Sequence, residues 1–338
     1  MKKINRNNTM SKRFQFLFVG FCFFLGSSSS FADDYPSILL KNKKMEVLIF
    51  LPNKTNSYYQ AARFDWGSMV GQITYKNHTY LQQWKNYNGR GAEAVHDPLI
   101  PNTGTGLAEE FITPLGYDET DANGYFVKIG VGVLQKTEKK DYSFAIPYTI
   151  IDEGKRTVQS TESSVTITHQ LNSALGYGYI LERIYELKEN KLIVKHTLRN
   201  TGKKRIVTET YSHNFMQFDF GAFNPDFSLQ FLNGTINPAN CKLVSPNRVK
   251  ITESKIDIVE DFPDYSPCFG MLELQSKKGN FHLQNKKTGM SVTMELDTDV
   301  TSFALWMWQK SFCAEPRVTI DIEPNQTAQW ESTYTFNN

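Results

Sequence analysis

Two short segments carry side chains that could exchange protons with a bound ligand. "TETYSHNFMQFD" places His213 where a predicted strand ends, with Asn214 beside it and aromatic residues nearby. "CAEPR" carries Glu315, and Pro316 restricts that glutamate to an extended backbone. An imidazole titrates near neutral pH, and burial raises the pKa of a carboxylate. His213 and Glu315 are therefore candidate acid and base residues.

Aromatic residues precede the glutamate. Trp306 and Trp308 lie in "WMWQKSF", just before the "CAEPR" segment. Aromatic faces pack on the apolar face of a pyranose while charged groups take its hydroxyls, so this combination is typical of a sugar site. A structural interpretation stays open, in which His213 only ends a strand and Glu315 pairs with Arg317 at the surface.

Further candidates for ligand contact lie in the first third of the chain. Arg63 is flanked by aromatic residues and could hold a sugar hydroxyl or an acidic group, or pair with Asp65. His96 precedes Asp-Pro in a predicted loop, where it is free to bind a ligand. Glu109 and Glu110 are adjacent, and neighbouring strand residues point to opposite faces. At most one of the two can line a site, and we expect the other to be solvated.

The N-terminus predicts a signal peptide. "MKKINRNNTMSKRF" is basic, "FQFLFVGFCFFLG" is a short apolar stretch, and small residues follow. We predict cleavage after Ala32, which gives a secreted or periplasmic domain over residues 33–338 without stable membrane insertion. Cleavage leaves three cysteines, allowing at most one disulfide. They show no CxxC spacing, so we predict no metal site and expect each to be a buried apolar residue: Cys241, Cys268 and Cys313.

Composition excludes several classes of function. The net charge is +2 with no isolated basic block, so nothing predicts a nucleic-acid partner. Hydrophobic residues make up 40% and charged residues 21%, as in an ordinary globular protein. The sequence has no GxGxxG following a strand, no P-loop, no HExxH and no GxSxG, which removes support for a nucleotide-binding protein or a metalloprotease.

The elements that must position these residues are predicted to be strands. "SSVTITHQL", "KLIVKHTL" and "RVTIDIEP" alternate apolar and polar residues, and the alternation puts His169 and His196 on the apolar faces of their strands, as core or edge histidines. "KLIVKHTLRNTGKKRIVTETY" predicts a hairpin turning at residues 200–202, and "FHLQNKKTGMSVTMEL" predicts another. Glycines in "GYFVKIGVGVLQK" indicate close packing or a bulge. Many short strands without helical periodicity predict one all-β sandwich or barrel.

Three segments resemble, in order along the chain, those of one family, the aldose 1-epimerases or galactose mutarotases, and more loosely the glucose-6-phosphate 1-epimerases. They are the early hairpin "RFDWGSMVGQITYKNHTYL", then "YSHNF", and then "FCAEP", which is followed as in the family by the closing strand "QWESTYTF". The resemblance implies a galactose mutarotase-like β-supersandwich of mostly antiparallel strands. It also implies that His213 is the general acid, that Glu315 is the general base, and that neither a cofactor nor a metal is required.

The chain departs from the family in its substrate contacts. It contains no His-Gly segment, and the family's Asn-Arg pair in the first half is missing. Its contacts to the ligand must therefore differ from those of the family. The candidate ligand-binding residues are Arg63, His96, Glu109, Glu110, Asn214, Trp306 and Trp308.

The expected activity is interconversion of the α and β anomers of a free monosaccharide or oligosaccharide. We expect the acid and the base on opposite sides of the pyranose, with a sugar-wide gap between His213 and Glu315. Two alternatives stay open. One is a carbohydrate-binding protein without turnover, and the other is a polysaccharide lyase or hydrolase in which Tyr211 acts as acid or base.

Overall fold

The computed structural model describes residues 35–83, 96–263 and 266–338. The predicted signal peptide, residues 1–32, lies outside these ranges. Within them the regular elements are strands, with 3-10 turns at Pro238–Asn240 and Pro246–Arg248. No helix in this part of the chain is long and apolar enough to span a bilayer.

The largest sheet has ten strands, each antiparallel to its neighbours. Its order across the sheet is β16 (Val249–Ile251), β17 (Lys255–Ile258), β14 (Phe227–Phe231), β19 (Phe281–Asn285), β20 (Ser291–Leu296), β23 (Thr327–Asn337), β12 (Lys191–Asn200), β11 (Gly178–Lys188), β10 (Ser164–Asn172) and β9 (Lys155–Ser160). Alternation along β10 to β12 buries one face, as the sequence pattern predicts.

A six-stranded antiparallel sheet carries the candidate site residues. Its order is β15 (Lys242–Val244), β18 (Cys268–Leu272), β21 (Ser302–Trp308), β22 (Ser311–Ile322), β13 (Ile206–Asn214) and β5 (Leu107–Phe111). Two smaller sheets complete the fold. They are β1 (Ser37–Lys41), β2 (Met45–Phe50), β3 (Val70–Tyr75) and β4 (His78–Leu81), and β6 (Tyr125–Lys128), β7 (Gly132–Gln135) and β8 (Ile150–Asp152).

The six-stranded and ten-stranded sheets face each other across the core. Thr210 and Ser212 of β13 line one internal space together with Tyr185 of β11 and Tyr334 of β23. Successive strand residues point to opposite faces, so Tyr211 and His213 point away from the ten-stranded sheet. The outer face of the six-stranded sheet is therefore available for a ligand site.

A buried ion network holds the interface between the sheets. Arg183 of β11 donates from Nε to Oε2 of Glu109 at 2.8 Å and from its terminal nitrogen to Oδ2 of Asp65 at 2.7 Å. All three side chains are almost fully buried. His196, stacked on Trp330, lies 3.4 Å from Glu109. Glu109 is thus a core residue, and the expectation that one of the two adjacent glutamates is solvated is wrong.

Of the two hairpins predicted from the sequence, one is present in the structure and one is not. β19 and β20 pair as the predicted hairpin. β12 and β13 are both present but belong to different sheets, so the predicted hairpin at residues 200–202 is wrong. The reason is Asn200, which is buried and donates to the carbonyls of Lys204 and Ile322, at 2.8 and 3.1 Å. These bonds turn the chain from one sheet into the other.

The glycine-containing segment forms a tight hairpin of β6 and β7 instead of one strand. Gly130 in its turn has a φ of +83°, and a Cβ there would lie 2.3 Å from Oδ2 of Asp65. The predicted close packing is confirmed at this position, because a side chain would collide with the buried carboxylate.

Candidate active site

An interrupted ladder between β13 and β22 creates the site. The two strands pair from Ile206–Ile322 to Thr210–Val318. The same register returns beyond the gap, where the backbones of Met216 and Phe312 exchange hydrogen bonds of 3.1 and 3.0 Å. Pro316 lies within the gap and has no N–H to donate, so a regular ladder cannot continue through it. In this register His213 lies directly opposite Glu315.

Asn214 bridges the gap from the other face of β13. Its Nδ2 donates to the carbonyl of Ala314 at 2.6 Å, and its Oδ1 accepts from the hydroxyl of Tyr334 at 2.9 Å. Asn214 is fully buried and faces the core. We predicted a ligand contact for this residue, but the structure places it behind the site, where it fixes the two strands beside its neighbour His213.

His213 and Glu315 are in direct contact. Nδ1 of His213 lies 3.3 Å from Oε1 of Glu315, and each side chain is less than a tenth exposed. The imidazole stacks on Phe215, with ring centroids 4.0 Å apart and planes inclined by 9°, and meets the edge of Phe64 at 5.9 Å. The expected sugar-wide gap between acid and base is therefore wrong, because the strand register puts the two side chains next to each other.

Burial dominates the protonation of Glu315. The loss of hydration raises the pKa of its carboxyl to about 8, although the nearby Arg63 and Arg317 act to lower it. Around neutral pH this carboxyl is therefore close to the point where it gains or loses a proton. A carboxyl in this condition can act as an acid or a base, as general catalysis requires.

A cleft of about 310 Å³ lies over this pair on the outer face of the six-stranded sheet. Its floor is His213, Glu315 and the partly exposed Trp306, whose ring centroid lies 6.0 Å from that of His213. Apolar walls come from Phe144, Phe269, Met271 and Leu305. Trp308 shares the face of Trp306 on β21 but is buried and does not line the cleft.

One side of the cleft is a charged cluster around Glu110. Arg63 donates to Oε2 of Glu110 at 2.8 Å and to the hydroxyl of Tyr211 at 3.1 Å, and Tyr211 donates to the same carboxylate at 2.7 Å. Burial acts to raise the pKa of Glu110, but Arg63 and the buried Lys128 outweigh it and hold the pKa low. Arg63 thus pairs with Glu110, not with Asp65, and both residues line the cleft as predicted candidates.

His96 lies in a different place. Its ring stacks on Tyr58 with centroids 3.9 Å apart, and its Nε2 is 2.8 Å from the carbonyl oxygen of Tyr58. Tyr58 in turn stacks on Phe50. His96 is not among the residues that line the cleft, so the ligand contact predicted for it is wrong for this site.

Cys313 is a neighbour of the pair that the sequence did not indicate. It is fully buried beside Glu315, and burial raises the pKa of its thiol well above the usual range. Its sulfur, a ring nitrogen of His213 and a carboxylate oxygen of Glu315 all lie within 4.8 Å of one another, so the three could hold a metal ion. Cys241, Cys268 and Cys313 are free thiols; Cys268 and Cys313 are buried as predicted, whereas Cys241 is only partly buried, so the prediction is wrong for that residue.

Sequence reasoning missed Lys128, considered Arg317 only as a surface partner of Glu315, and named Tyr211 only for the lyase alternative. Arg317 and Tyr211 line the cleft, and Lys128 lies 3.3 Å from Glu110 below it. A signal was present in the alternation of "CAEPR", since Cys313, Glu315 and Arg317 must share one strand face. Only the register with β13 shows which residues meet that face.

Solved structures with similar folds include galactose mutarotase-like proteins. A galactose mutarotase-like protein from Clostridium acetobutylicum superposes with a TM-score of 0.56 at 14% identity, covering 92% of this chain and 97% of its own. A galactose mutarotase related enzyme from Lactobacillus acidophilus gives 0.54 at 12% identity, covering 89% and 97%. The fold is galactose mutarotase-like.

At these identities the similarity shows the fold alone. A Synechocystis protein gives the same result, with a TM-score of 0.54 at 14% identity over 92% of this chain and 99% of its own. No family model matches the sequence, and no curated protein matches it. The predicted all-β supersandwich of antiparallel strands is confirmed.

Proposed function

We propose that the protein is an aldose 1-epimerase-like isomerase that interconverts the α and β anomers of a free sugar. The observation that carries this proposal is the contact of His213 with Glu315, 3.3 Å apart on the floor of a cleft of sugar size. Anomerisation needs one proton removed and one delivered at neighbouring oxygens. A paired acid and base meets that need without a covalent intermediate.

Direct contact suits this reaction better than the expected gap. The anomeric hydroxyl and the ring oxygen are both bonded to C1, so the two atoms that exchange protons are neighbours in the sugar. An acid and a base that act on them must also be close together. A sugar that presents its C1 end to the floor of the cleft places one of these oxygens near His213 and the other near Glu315.

Ring opening converts the pair from carboxylate and imidazolium to carboxylic acid and neutral imidazole. Glu315 as carboxylate takes the proton of the anomeric hydroxyl while His213 as imidazolium gives a proton to the ring oxygen. The C1–ring oxygen bond breaks and leaves an open-chain aldehyde. Rotation about C1–C2 presents the other carbonyl face. On ring closure His213 takes the proton of the attacking hydroxyl and Glu315 gives its proton to the former carbonyl oxygen, which restores the imidazolium and the carboxylate.

The raised pKa of Glu315 supports this cycle. Its value of about 8 means that the protonated carboxyl is stable in the buried site. The state reached after ring opening, with a neutral acid and a neutral imidazole, is therefore accessible near neutral pH. Each of the two residues is expected to contribute about 10²- to 10⁴-fold.

The rest of the cleft fits a sugar. Trp306 offers an aromatic face beside His213, and Arg63 and Glu110 supply charged groups for hydroxyls. The lyase alternative gains no support from Tyr211, because its hydroxyl donates to Glu110 and its pKa is raised well above the usual value by burial and by that carboxylate. A tyrosine held protonated is not a ready base.

The proposal is tested by polarimetry of freshly dissolved α-glucose, α-galactose and α-glucuronic acid with the purified protein. We expect faster mutarotation with the wild type, and rates close to the spontaneous rate with His213→Ala and Glu315→Gln. Matched controls are His282→Ala and Glu186→Gln, which lie away from the cleft on β19 and β11. Equal rates for wild type and both site variants would exclude the assignment.

Two further arms separate the alternatives. Saturation-transfer NMR with the same sugars detects binding without turnover, which would favour a carbohydrate-binding protein. Ultraviolet absorption of unsaturated products from acidic polysaccharides would favour a lyase.

We also propose that the protein is exported and loses residues 1–32. N-terminal sequencing of the processed protein should begin at residue 33, and an intact N-terminus would contradict export with cleavage.

A further inference from the structure

Arg317 is a cation that lines the cleft together with Glu315. Its guanidinium lies over the ring of Tyr211, 5.2 Å from the centroid, and the residue is partly exposed to the cleft. Its Nε is buried and donates no hydrogen bond. Throughout residues 35–83, 96–263 and 266–338, no acidic side chain forms an ion pair with it.

Arg63, on the same cleft wall, shows the contrast. Each of its three nitrogens donates, to Glu110, to Asn102 and to Tyr211, at 2.8, 2.8 and 3.1 Å. Nζ of Lys128 also lies 3.3 Å from Oε1 of Glu110, so the charge of this carboxylate is already balanced by two cations. The second carboxyl of the cleft, Glu315, is in contact with His213. Within the described part of the chain, Arg317 is left as a guanidinium whose natural partner is an anion.

The position of Arg317 relative to the reacting pair defines where that anion would lie. Arg317 and Glu315 are alternate residues of β22 and share one face, so their backbones are about 7 Å apart. This distance is comparable to the width of one pyranose ring. A sugar with C1 at the His213–Glu315 pair would bring a substituent from the far side of its ring to Arg317.

We infer that the ligand is a sugar that carries one negative charge on a substituent of the ring, with a carboxylate as in a uronic acid or a sulfate as the candidate groups. Its orientation rests on the proposed function, whereas the preference for an anion does not depend on turnover. One free guanidinium matches one planar or tripodal anion through two parallel N–H donors. A neutral sugar would leave those donors unsatisfied in a partly buried site.

The experiment compares glucuronate, glucose 6-sulfate and glucose as ligands and as substrates. Dissociation constants come from calorimetry, and kcat/KM comes from mutarotation followed by NMR. For the wild type we expect at least one of the two anionic sugars to exceed glucose by about 10- to 100-fold in affinity and kcat/KM, as charge-assisted hydrogen bonds allow. Preference between carboxylate and sulfate identifies the group.

Variants assign the preference to Arg317. In Arg317→Gln the ratio of anionic to neutral sugar should fall to about 1, and Arg317→Lys should keep part of it because the charge remains while the planar fork is lost. Arg205→Gln is the matched control, since Arg205 is an exposed arginine paired with Asp321. Circular dichroism and melting curves of each variant confirm folding.

The outcomes separate the two proposals. An anion preference that depends on Arg317, without mutarotation of any sugar, supports the inference and contradicts the proposed function. Mutarotation with equal preference for neutral and anionic sugars, or a preference that survives Arg317→Gln, overturns the inference and leaves the proposed function standing. Failure of every anionic sugar to bind at millimolar concentration also overturns the inference.

Discussion

Nδ1 of His213 lies 3.3 Å from Oε1 of Glu315 across two adjacent antiparallel strands, at the point where Pro316 interrupts their ladder. The same register is kept on both sides of the interruption. The two side chains therefore meet because of the strand register, in a buried position that changes the protonation of the carboxyl. Four predictions follow from this contact and its surroundings.

The pair should act as one unit in catalysis. His213→Gln and Glu315→Gln are each expected to lower kcat by about 10²- to 10⁴-fold. The double variant should be hardly worse than the more damaging single variant, because removing either proton carrier stops the same transfer. Single-turnover kinetics of all three variants measures this. Fully additive losses would indicate that the two residues act in separate steps.

Replacement of Glu315 should stabilise the protein at high pH. The folded-state pKa of about 8 lies above the unfolded value of 4.5, so the folded protein holds this proton more tightly. The stability from that difference is complete below about pH 4.5 and is lost as the pH rises through 8. Glu315→Gln has no such loss. Its free energy of unfolding should exceed that of the wild type by a few kcal/mol at pH 9, at about 1.4 kcal/mol per pKa unit.

Urea unfolding at pH 5 and pH 9 checks this prediction. The difference between the glutamine variant and the wild type should be clearly larger at pH 9 than at pH 5. Glu186→Gln, on the solvated face of β11, serves as the control and should show little change with pH. A variant that is equally stable relative to the wild type at both values would show that Glu315 ionises normally.

Asn214 should position the pair instead of contacting the ligand. Asn214→Ala removes the bonds to the carbonyl of Ala314 and the hydroxyl of Tyr334 and leaves two buried polar groups unsatisfied. We expect a loss of about 1–3 kcal/mol in stability. The value of kcat should fall while KM changes little. Asn214→Asp should not restore the stability, because a carboxylate cannot donate to the carbonyl of Ala314 and its charge would be buried. A rise in KM alone would instead place Asn214 in ligand binding.

Zinc should inhibit the proposed mutarotation without being needed for it. The sulfur of Cys313 and the nearby donors of His213 and Glu315 lie close enough for one ion, and thiolate, imidazole and carboxylate suit zinc. Binding requires a deprotonated thiol, so inhibition should strengthen as the pH rises. Activity assays with added zinc and with a chelator measure both effects, and Cys313→Ala should be less sensitive. Loss of activity on chelation, restored by zinc, would make the metal part of the catalyst.

Much of the fold could be predicted from strand patterns. Alternation identified β10, β12, β22 and the β19–β20 hairpin, since one buried face imposes a period of two. The failure at Asn200 has a physical reason. Asn-Thr-Gly is favourable for a tight turn, but one of the two hydrogen bonds that Asn200 donates goes to Ile322 on a distant strand, which a local sequence pattern does not show. Pairing between sheets depends on such contacts.

Several residues of the site were predictable from the sequence, but their arrangement was not. His213, Glu315, Arg63, Glu110 and Trp306 do line one cleft. Their mutual distance could not be predicted, because it depends on a register that only the folded sheet defines. The burial of Glu109 depends equally on Arg183, which shares the apolar face of β11 with Leu181 and Tyr185, and the pattern of that strand alone does not show which carboxylates Arg183 meets.

The exchange between anomers at equilibrium tests the central proposal most directly. Two-dimensional exchange NMR on a C1-labelled sugar reports α-to-β interconversion without any net reaction. We expect cross peaks between the two anomeric carbons with the wild type, at rates far above the spontaneous rate, and their loss with Glu315→Gln. Absence of exchange with the wild type for glucose, galactose and glucuronate, or undiminished exchange with Glu315→Gln, would contradict the role assigned to the His213–Glu315 pair.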